Sequence, residues 1–311
     1  MDLNSTKAVS RTMTAKWTAN TYTISFNGNG NTGGSTANKT CTYGQNCTLT
    51  SNGFTRTGYI FEGWATSASG SVVYSNGATV KNLAKSGTYN LYAKWGVTMQ
   101  TFSCSSLSKG SSRTLKDTRD GNTYTVAKLN DGKCWMTQNL RLVNYTLKSS
   151  DSNVSSNYTI PTSGSFSASY ADAKVIDTGR SDYGVYYNYV AASAGTITSN
   201  NNTSEASYSV CSKGWRLPSQ SEWASMLSAH GISNNASGST IARSAPINLV
   251  YGGYHNAADN QTRLQGSYGY WWTSTAKSKN ERYLPDIASD HINASYYYGR
   301  THAFNVRCIA Q

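Results

Sequence analysis

The sequence predicts a β-rich α+β fold in which helices are the minority. Aromatic residues make up 12% of the 311 residues, and Tyr alone occurs 23 times. Aromatic and β-branched side chains favour strands, while the 27 Gly residues and the many Asn residues supply turns. Only 14% of residues are charged, which is not the composition of a disordered chain. The length corresponds to about two domains.

The formal net charge of +12 is spread evenly along the chain. Residues 1–95 carry 8 basic and 2 acidic groups, and residues 96–311 carry 19 and 13, so each part has a net charge of +6. Nucleic-acid-binding proteins concentrate basic groups on one face or helix, so we expect no nucleic-acid partner. No run of about 18 apolar residues occurs, so we expect no membrane span in this chain.

The cysteines indicate an oxidising, extracellular environment. The chain has six, an even number, and none lies in the C-x-x-C arrangement of zinc and redox sites. Cys41 and Cys47 enclose five residues that include a glycine, which is consistent with a disulfide across a local turn. The N-terminus has no secretory signal, so we expect this sequence to be part of a longer secreted or cell-surface protein.

An internal repeat divides the first third of the chain. The tripeptide Ala-Lys-Trp at residues 15–17 recurs at residues 93–95. We therefore expect residues 1–18 to be the tail of a preceding repeat and residues 19–96 to be one complete copy. Within this copy, apolar residues alternate with polar ones over residues 22–26, which predicts a half-buried strand.

Residues 19–96 resemble the Listeria-Bacteroides repeat, also called the internalin B-repeat. The resemblance depends on I-S-F-N-G-N-G at 24–30, G-Y-I-F-E-G-W at 58–64 and L-Y-A-K-W at 91–95. It implies a small β-grasp-like module that occurs in tandem on bacterial surface proteins as a spacer or adhesive stalk. We expect its aromatic side chains to pack in the core rather than to form a ligand patch.

The remaining sequence predicts hairpins followed by one helix. Residues 115–126 form a strand, an Asp-Gly turn and a second strand, and residues 130–133 supply another hairpin turn. Ser219 and Glu222 fit a capping box, and Gly231 is placed to end the amphipathic helix of about three turns that follows.

Polar stretches and aromatic stretches alternate around this helix. Residues 146–170 and 193–209 are rich in Ser, Thr and Asn, which predicts long surface loops. The aromatic segment between them, residues 183–189, is expected to be buried. Residues 268–275 and 303–309 are the best strand predictions near the C-terminus.

Five motifs in this second part occur in the order found in the Fibrobacter succinogenes major paralogous domain, which it resembles. They are D-x-R-D-G-x-x-Y at 117–124, W-M-x-x-N-L at 135–140, C-x-x-G-W-R-L-P-x-x-x-E-W at 211–223, W-W-T-S-T at 271–275 and V-R-C-I at 306–309. The resemblance implies a C-type lectin fold for residues 97–311, related to the formylglycine-generating enzyme group.

The family resemblance also suggests how the last four cysteines pair. In that family the segment before the helix lies beside the last strand, which implies a Cys211–Cys308 disulfide. Cys104 and Cys134 would then pair and tie the start of the domain to the second hairpin. Four cysteines permit three pairings, and a free catalytic cysteine is the alternative interpretation.

No catalytic or metal-binding motif is apparent. His230, His255, His291 and His302 lie in no metal-ligand spacing, and nucleophile-elbow, phosphate-loop and EF-hand motifs are absent. Calcium-dependent C-type lectins carry a Glu-Pro-Asn or Gln-Pro-Asp triplet and a Trp-Asn-Asp motif. Residues 284–286 are Leu-Pro-Asp, which lack one ligand, and Trp-Asn-Asp is absent. We therefore expect no enzyme activity, metal or cofactor.

The segment 276–302 is the predicted ligand-binding surface. It is rich in Tyr, Ser, Asn and Arg, the residue types of antibody combining sites, and its three successive Tyr residues cannot all face inward on a strand. The predicted binding face consists of Lys279, Asn280, Glu281, Asp290, His291, Tyr296, Tyr298, Arg300 and His302. The alternative is a solvated loop whose aromatic residues pack inward.

These observations predict an extracellular ligand-binding protein, adhesin-like or receptor-like, on a bacterial cell surface or secreted. Its partner would be a protein or glycan ligand on another cell or on a phage. The position of residues 276–302, between two fixed strands, resembles the variable region of proteins diversified by retroelements. The rival hypothesis is an enzyme of the formylglycine-generating type, which requires a reactive cysteine.

Overall fold

The computed structural model describes residues 13–164, 166–199 and 202–311. The chain divides into two compact units between Trp95 and Gly96. Each unit is built mainly from short strands, and helices are few, which confirms the β-rich composition predicted from the sequence. Among the described residues, no helix has the length and apolar character that crossing a membrane requires.

The first unit contains one mixed sheet and two small two-stranded sheets. The expected preceding repeat tail, residues 1–18, lies mostly outside the described part of the chain. The strands are β1 (Thr21–Asn27), β2 (Gly33–Gly34), β3 (Lys39–Thr42), β4 (Asn46–Thr48), β5 (Phe54–Thr55), β6 (Tyr59–Ala65), β7 (Thr79–Lys81) and β8 (Gly87–Val97). The mixed sheet has the order β3-β1-β8-β6, and β1 pairs with β8 in parallel.

Aromatic side chains form the core of this unit. The alternation that predicts a strand over residues 22–26 is confirmed by β1, whose alternate side chains are buried. Trp64 is fully buried, and its ring lies 4.6 Å from that of Phe26 and 4.8 Å from that of Phe61. Trp95 donates its indole N–H to Gly28 O at 2.9 Å and packs edge-on against Phe61. These aromatic residues therefore stabilise the module.

The second unit combines several small sheets with three α-helices and two 3-10 helices (Met99–Thr101 and Cys104–Ser106) in its described part. Its strands are β9 (Ser112–Lys116), β10 (Thr123–Lys128), β11 (Cys134–Met136), β12 (Tyr145–Leu147), β13 (Tyr158–Ile160), β14 (Val175–Asp177), β15 (Val185–Asn188), β16 (Trp215–Arg216), β17 (Tyr254–Asn256), β18 (Gln261–Arg263), β19 (Gly269–Tyr270), β20 (Glu281–Ile287), β21 (Ile292–Gly299), β22 (Ala303–Phe304) and β23 (Ile309–Ala310). Its α-helices are α1 (Tyr189–Ala192), α2 (Gln220–Ala229) and α3 (Ala236–Arg243).

Two five-stranded sheets and a three-stranded sheet organise this unit. Their strand orders are β16-β23-β11-β10-β9, β14-β15-β22-β17-β18 and β19-β20-β21. Strand β22 is the central strand of one larger sheet and β23 is an interior strand of the other, so the end of the chain joins elements distant in sequence. The three-stranded sheet carries the segment predicted to bind ligand.

Both predicted hairpins are present at the start of this unit. Strands β9 and β10 flank the Asp-Gly turn at 120–121, and β10 pairs with β11 across the turn at 130–133. Asp117 and Arg119, the first two residues of the D-x-R-D-G motif, form a fully buried salt bridge of 2.7 Å. Arg119 also donates to Val210 O at 2.8 Å. This motif therefore ties the first hairpin to the segment before α2.

Asn139 joins three of the family motifs. Its Oδ1 accepts hydrogen bonds from Trp271 Nε1 at 2.7 Å and from Arg307 Nε at 3.0 Å, and its Nδ2 donates to Tyr183 O at 2.9 Å. Burial lowers the pKa of the Arg307 guanidinium to about 9. Asn139, Trp271 and Arg307 therefore have a structural role in these motifs.

Helix α2 confirms the predicted helix and its cap. Ser219 accepts a hydrogen bond from the Glu222 N–H, while the Glu222 carboxylate accepts one from the Ser219 N–H, which completes the capping box. Trp223, Met226 and Leu227 are buried along one face. The helix therefore covers one side of the core.

Helix α3 was not predicted from the sequence. Its segment is rich in Ser and Gly, which are weak helix formers, so no periodic pattern announces it. The helix begins after Asn235, whose side chain accepts from the Gly238 N–H at 2.8 Å. Buried Ser239 and Ala242 lie on its inner face. Tertiary packing and the asparagine cap stabilise this helix.

The prediction of two long surface loops is only partly correct. Within residues 146–170, strands β12 and β13 pair with each other, and Val154 and Ile160 are buried. Within residues 193–209, Ile197 is buried. A few apolar side chains anchor each polar stretch to the core, and composition alone does not reveal them.

All three expected disulfides are present. They join Cys41 to Cys47, Cys104 to Cys134, and Cys211 to Cys308. The last of these connects the segment before α2 to the segment that leads into β23, which agrees with the pairing implied by the family resemblance.

Candidate ligand-binding surface

The predicted ligand-binding segment forms a β-hairpin. Strands β20 and β21 pair antiparallel, with Glu281 opposite Gly299 at one end and Ile287 opposite Ile292 at the other. The register shifts next to Pro285, which has no N–H to donate to the ladder. The predicted segments 268–275 and 303–309 do contain strands, but these are only two residues long, and the longest strands near the C-terminus are β20 and β21.

One face of the hairpin packs against aromatic residues of the core. Tyr298 lies 5.6 Å from the ring of Tyr254 and 5.5 Å from that of Phe304, measured between ring centroids. Tyr296 lies 6.1 Å from the ring of Tyr270. Both Tyr296 and Tyr298 are half-buried, so each combines a packing role with an accessible edge.

The opposite face carries an exposed tyrosine beside a lysine. Tyr297 is 45% exposed, as expected for the middle member of three successive tyrosines on a strand. The ammonium group of Lys277 lies 5.2 Å from the centroid of the Tyr297 ring and 5.7 Å from that of Tyr283. This arrangement is a cation–π contact on the surface.

A shallow concavity lies where these two faces meet the strand edge. Its volume is about 360 Å³, and it is lined by Glu281, Tyr296, Tyr297, Tyr298 and Gly299. Burial raises the pKa of Tyr296, which keeps its hydroxyl protonated at neutral pH. The concavity therefore offers phenolic donors, one carboxylate and main-chain groups to a ligand.

The nine predicted site residues do not form a single cluster. Lys279, Asn280 and Glu281 lie at the start of β20, next to Tyr298, Arg300 and His302. Asp290 and His291 lie in the turn at the other end of the hairpin. A strand rises about 3.3 Å per residue, so the two ends are about 20 Å apart. Of the nine predicted residues, Glu281, Tyr296 and Tyr298 line the concavity.

Arg300 was wrongly predicted to be a contact residue. Its side chain is fully buried, with its guanidinium 4.7 Å from the ring centroid of Tyr170. It donates to Ile197 O at 3.1 Å and to Ser199 O. Composition favoured a surface position, but the main-chain carbonyl groups of residues 197–199 provide partners inside the protein.

His302 is half-buried below Tyr298. Its ring lies 4.9 Å from the Tyr298 ring, and its Nδ1 accepts the Ala257 N–H at 3.2 Å. Burial lowers the pKa of His302. His302 therefore supports Tyr298 from beneath rather than presenting a charge to a ligand.

A carboxylate–histidine–carboxylate cluster lies at the turn of the hairpin. His291 Nε2 is 3.0 Å from Asp286 Oδ2, and its Nδ1 is 2.8 Å from Asp290 Oδ1. Burial opposes protonation of His291, yet the hydrogen bonds to the two carboxylates raise its pKa above the ordinary value. Burial raises the pKa of Asp286. The cluster fastens the turn.

Tyr297, Tyr283 and Lys277 belong to the accessible surface but were absent from the predicted face. Strand alternation in the sequence gives the information needed to find Tyr297, because neighbouring Tyr296 and Tyr298 point the other way. The contact of Lys277 with both rings depends on the hairpin register and has no sequence pattern.

The described residues contain no group of three or more His, Cys, Asp or Glu side chains arranged to hold a metal ion. All six cysteines are in disulfides, so none is a free thiol.

Two family matches agree with both resemblances inferred from sequence motifs. Residues 22–94 match the Listeria-Bacteroides repeat domain, and residues 130–310 match the Fibrobacter succinogenes major domain. Neither the curated proteins nor the solved structures provide a significant match. Because the second match covers more than half of the sequence, the chain belongs to the Fibrobacter succinogenes major domain family.

Proposed function

We propose that this chain is an extracellular bacterial surface protein whose second unit, a C-type lectin fold, binds a protein or glycan ligand through the β20–β21 hairpin. The observation that carries the proposal is the tyrosine-lined concavity beside exposed Tyr297. Tyrosine supplies a large contact area at a small entropy cost, and it is enriched among the residues that dominate binding energy.

Two features support an extracellular location. Three disulfides are expected in an oxidising compartment rather than in the cytosol. The family of the first unit, the Listeria-Bacteroides repeat, is associated with bacterial surface proteins. In this proposal the repeat is a spacer that carries the ligand-binding unit away from the cell.

The enzymatic alternative is less well supported. An enzyme of the formylglycine-generating type needs a reactive cysteine, whereas Cys211 and Cys308 are bonded to each other and Cys104 to Cys134. We therefore propose binding without catalysis. Labelling of the native protein with a thiol reagent separates the two hypotheses, because only the enzyme requires a cysteine that reacts.

A more specific version of the proposal is that retroelement diversification acts on the hairpin. The hairpin lies between the segment that contains buried Trp271 and the segment that contains buried Phe304 and Val306. Side chains on such a hairpin can vary while these flanking residues maintain the fold. Sequencing of the neighbouring DNA tests this version, which requires a near-copy of the 3′ coding end beside a reverse transcriptase.

Ligand binding is tested by applying the whole chain to protein and glycan arrays. We expect binding that Tyr297→Ala and Glu281→Ala weaken, because both residues border the concavity. Tyr43→Ala is the matched control, since Tyr43 is an exposed tyrosine of the first unit. Binding that is lost equally with Tyr43→Ala, or kept fully by both hairpin variants, would contradict the proposal.

A further inference from the structure

Strand β21 presents an open edge. It is the last strand in the order β19-β20-β21, so it pairs on one side only within the described part of the chain. Its sequence, I-N-A-S-Y-Y-Y-G, contains no charged residue and no proline, which are two of the devices that protect edge strands from pairing with another chain. Helix α2 reaches the middle of the strand, where Gln220 Nε2 donates to Ser295 Oγ at 2.9 Å.

The hairpin register determines which main-chain groups face this edge. Arg300 N donates to Asn280 O at 3.0 Å, so the pair 280/300 is hydrogen-bonded. Hydrogen-bonded and non-hydrogen-bonded pairs alternate along an antiparallel ladder. Tyr283 and Tyr297 therefore form a non-hydrogen-bonded pair. The Tyr283 N–H agrees with this assignment, because it donates to Thr275 O, on the side away from β21.

The N–H and C=O of Tyr297 and the N–H of Gly299 consequently point outward from the sheet. Neighbouring outward groups already have partners: the Ser295 N–H donates to Asn293 Oδ1, and Gly299 O accepts the His302 N–H. No described residue bonds the Tyr297 main chain. The open section of the edge is thus residues 297–299, beside the tyrosine-lined concavity.

We propose that the ligand is a protein segment in extended conformation that adds to the sheet as a fourth strand along residues 297–299. This inference rests on the proposed function, because it takes the hairpin as the ligand-binding surface. Main-chain hydrogen bonds supply affinity in such complexes, and side chains on alternate positions supply specificity.

The side chains beside the edge indicate the chemistry of the segment. On one face, half-buried Tyr296 and Tyr298 favour apolar or aromatic side chains of the partner. On the other face, Lys277 lies over the Tyr297 ring and forms no salt bridge within the described structure. An acidic side chain of the partner fits there, in agreement with the net charge of +6 on residues 96–311.

The main-chain contact is tested by comparing Tyr297→Pro with Tyr297→Ala in the whole chain. Both variants remove the tyrosine ring, but only proline also removes the outward N–H. That N–H lies outside the β20–β21 ladder, and proline is tolerated on the open side of an edge strand. The probe is a set of peptides selected on the parent protein from a phage-displayed random library.

We expect Tyr297→Pro to bind the selected peptides roughly tenfold or more weakly than Tyr297→Ala, since a peptide carbonyl loses its partner. Equal binding by the two variants overturns strand addition. Selection of no peptide, together with binding on the glycan array, also overturns it but leaves the proposed function intact. Peptides that bind independently of every hairpin substitution contradict the proposed function itself.

A second measurement does not depend on how the proline variant folds. In an added strand, alternate peptide amides face β21 and the others face solvent. We expect N-methylation of one alternate set to abolish binding to the parent protein and N-methylation of the other set to be tolerated. Equal sensitivity of both sets overturns the proposal. Dimerisation of the parent through the same edge, at the concentrations used for binding, identifies a second copy as the occupant and overturns it too.

Discussion

Arg282 and Arg300 are both fully buried, and neither forms a salt bridge with a described carboxylate. Arg282 Nη2 donates to Asn202 O at 2.9 Å, while Arg300 donates to Ile197 O and Ser199 O. The guanidinium of Arg282 lies over the ring of Tyr189, and that of Arg300 lies over the ring of Tyr170. Two buried cations thus connect the main-chain carbonyls of Ile197, Ser199 and Asn202 to the hairpin.

This arrangement predicts that Arg300 contributes to stability rather than to ligand contact. Arg300→Ala removes the donor to the carbonyl of buried Ile197 and to that of exposed Ser199. Water can replace the donor at Ser199, whereas the buried unsatisfied acceptor of Ile197 costs about 1–3 kcal/mol. We expect a loss of about 1–3 kcal/mol in the free energy of unfolding, measured by urea denaturation. Hydrogen exchange of residues 193–199 should accelerate in the same variant.

A matched control for Arg300 is Arg263→Ala. Arg263 forms an exposed ion pair with Asp259, and exposed pairs contribute at most about 1 kcal/mol. If Arg300→Ala lowers the free energy of unfolding no more than Arg263→Ala does, the buried contacts of Arg300 do not stabilise the fold.

The two neighbouring tyrosines Tyr297 and Tyr298 are expected to respond oppositely to truncation. Tyr298→Ala removes packing against Tyr254 and Phe304, so we expect it to lower the free energy of unfolding by about 2 kcal/mol or more. Tyr297→Ala removes an exposed ring and should change the free energy of unfolding by about 0.5 kcal/mol or less. Parallel urea denaturation of the two variants checks this. Equal losses would mean that the hairpin faces are misassigned.

Sequence patterns predicted the elements whose determinants are local. The Asp-Gly turn at 120–121 and the Ser219–Glu222 capping box each depend on a few adjacent residues, and both appear as expected. The family motifs also predicted a contact between residues distant in sequence, because they implied the Cys211–Cys308 disulfide.

The candidate site was predicted at the level of the segment but not of the individual side chain. Residues 276–302 do contain the hairpin that presents exposed Tyr297, yet burial of Arg300 depends on carbonyl groups about a hundred positions earlier in the chain. Helix α3 was missed for a similar reason, since tertiary packing overrides the weak helix propensity of its Ser and Gly residues.

The largest disulfide loop should contribute most to stability. Cys211–Cys308 spans 97 positions, for which loop entropy predicts about 4.7 kcal/mol. Cys41–Cys47 spans 6 positions and should contribute about 2 kcal/mol. We expect the alanine pair at 211 and 308 to lower the free energy of unfolding more than the alanine pair at 41 and 47. Mass spectrometry of unreduced peptides verifies the pairing first, and any other pairing would contradict the structure.

The lowered pKa of Glu222 predicts that the protein loses stability in acid. Burial would raise its pKa, but hydrogen bonds from Arg216 and Lys133 lower it to about 2. A carboxylate whose pKa is lower in the folded state than in the unfolded state stabilises the fold fully at pH values above the unfolded-state pKa. This stabilisation is lost as the pH falls through the folded-state pKa. We expect Glu222→Gln to cost up to about 3 kcal/mol at pH 7 and little near pH 2.

Urea denaturation of parent and Glu222→Gln across this pH range measures the difference. Glu62→Gln in the first unit is the control, because Glu62 forms no salt bridge among the described residues. A Glu222→Gln penalty that stays constant between pH 7 and pH 2 would contradict the assignment of charge to this carboxylate.

We expect the pKa of His291 to lie above the ordinary histidine pKa and the pKa of His302 to lie below it. Burial opposes protonation of His291, but its hydrogen bonds to Asp286 and Asp290 raise the pKa, whereas burial lowers the pKa of His302. The raised pKa of His291 means that its stabilising effect is present below about pH 6.5 and is lost as the pH rises through the folded-state value. His302 has the opposite sign, because protonating it in its buried site below about pH 6.5 destabilises the fold.

A single NMR titration of the ring protons measures both histidines in one sample, and each serves as the control for the other. Assignment comes from His291→Gln and His302→Gln, each of which removes one resonance. We expect the pKa of His291 to exceed that of His302, and hydrogen exchange at the hairpin turn, corrected for the intrinsic rate, to accelerate between pH 6.5 and pH 9. If His291 titrates at or below His302, the two carboxylates do not hold its proton, and the turn is fastened by packing instead.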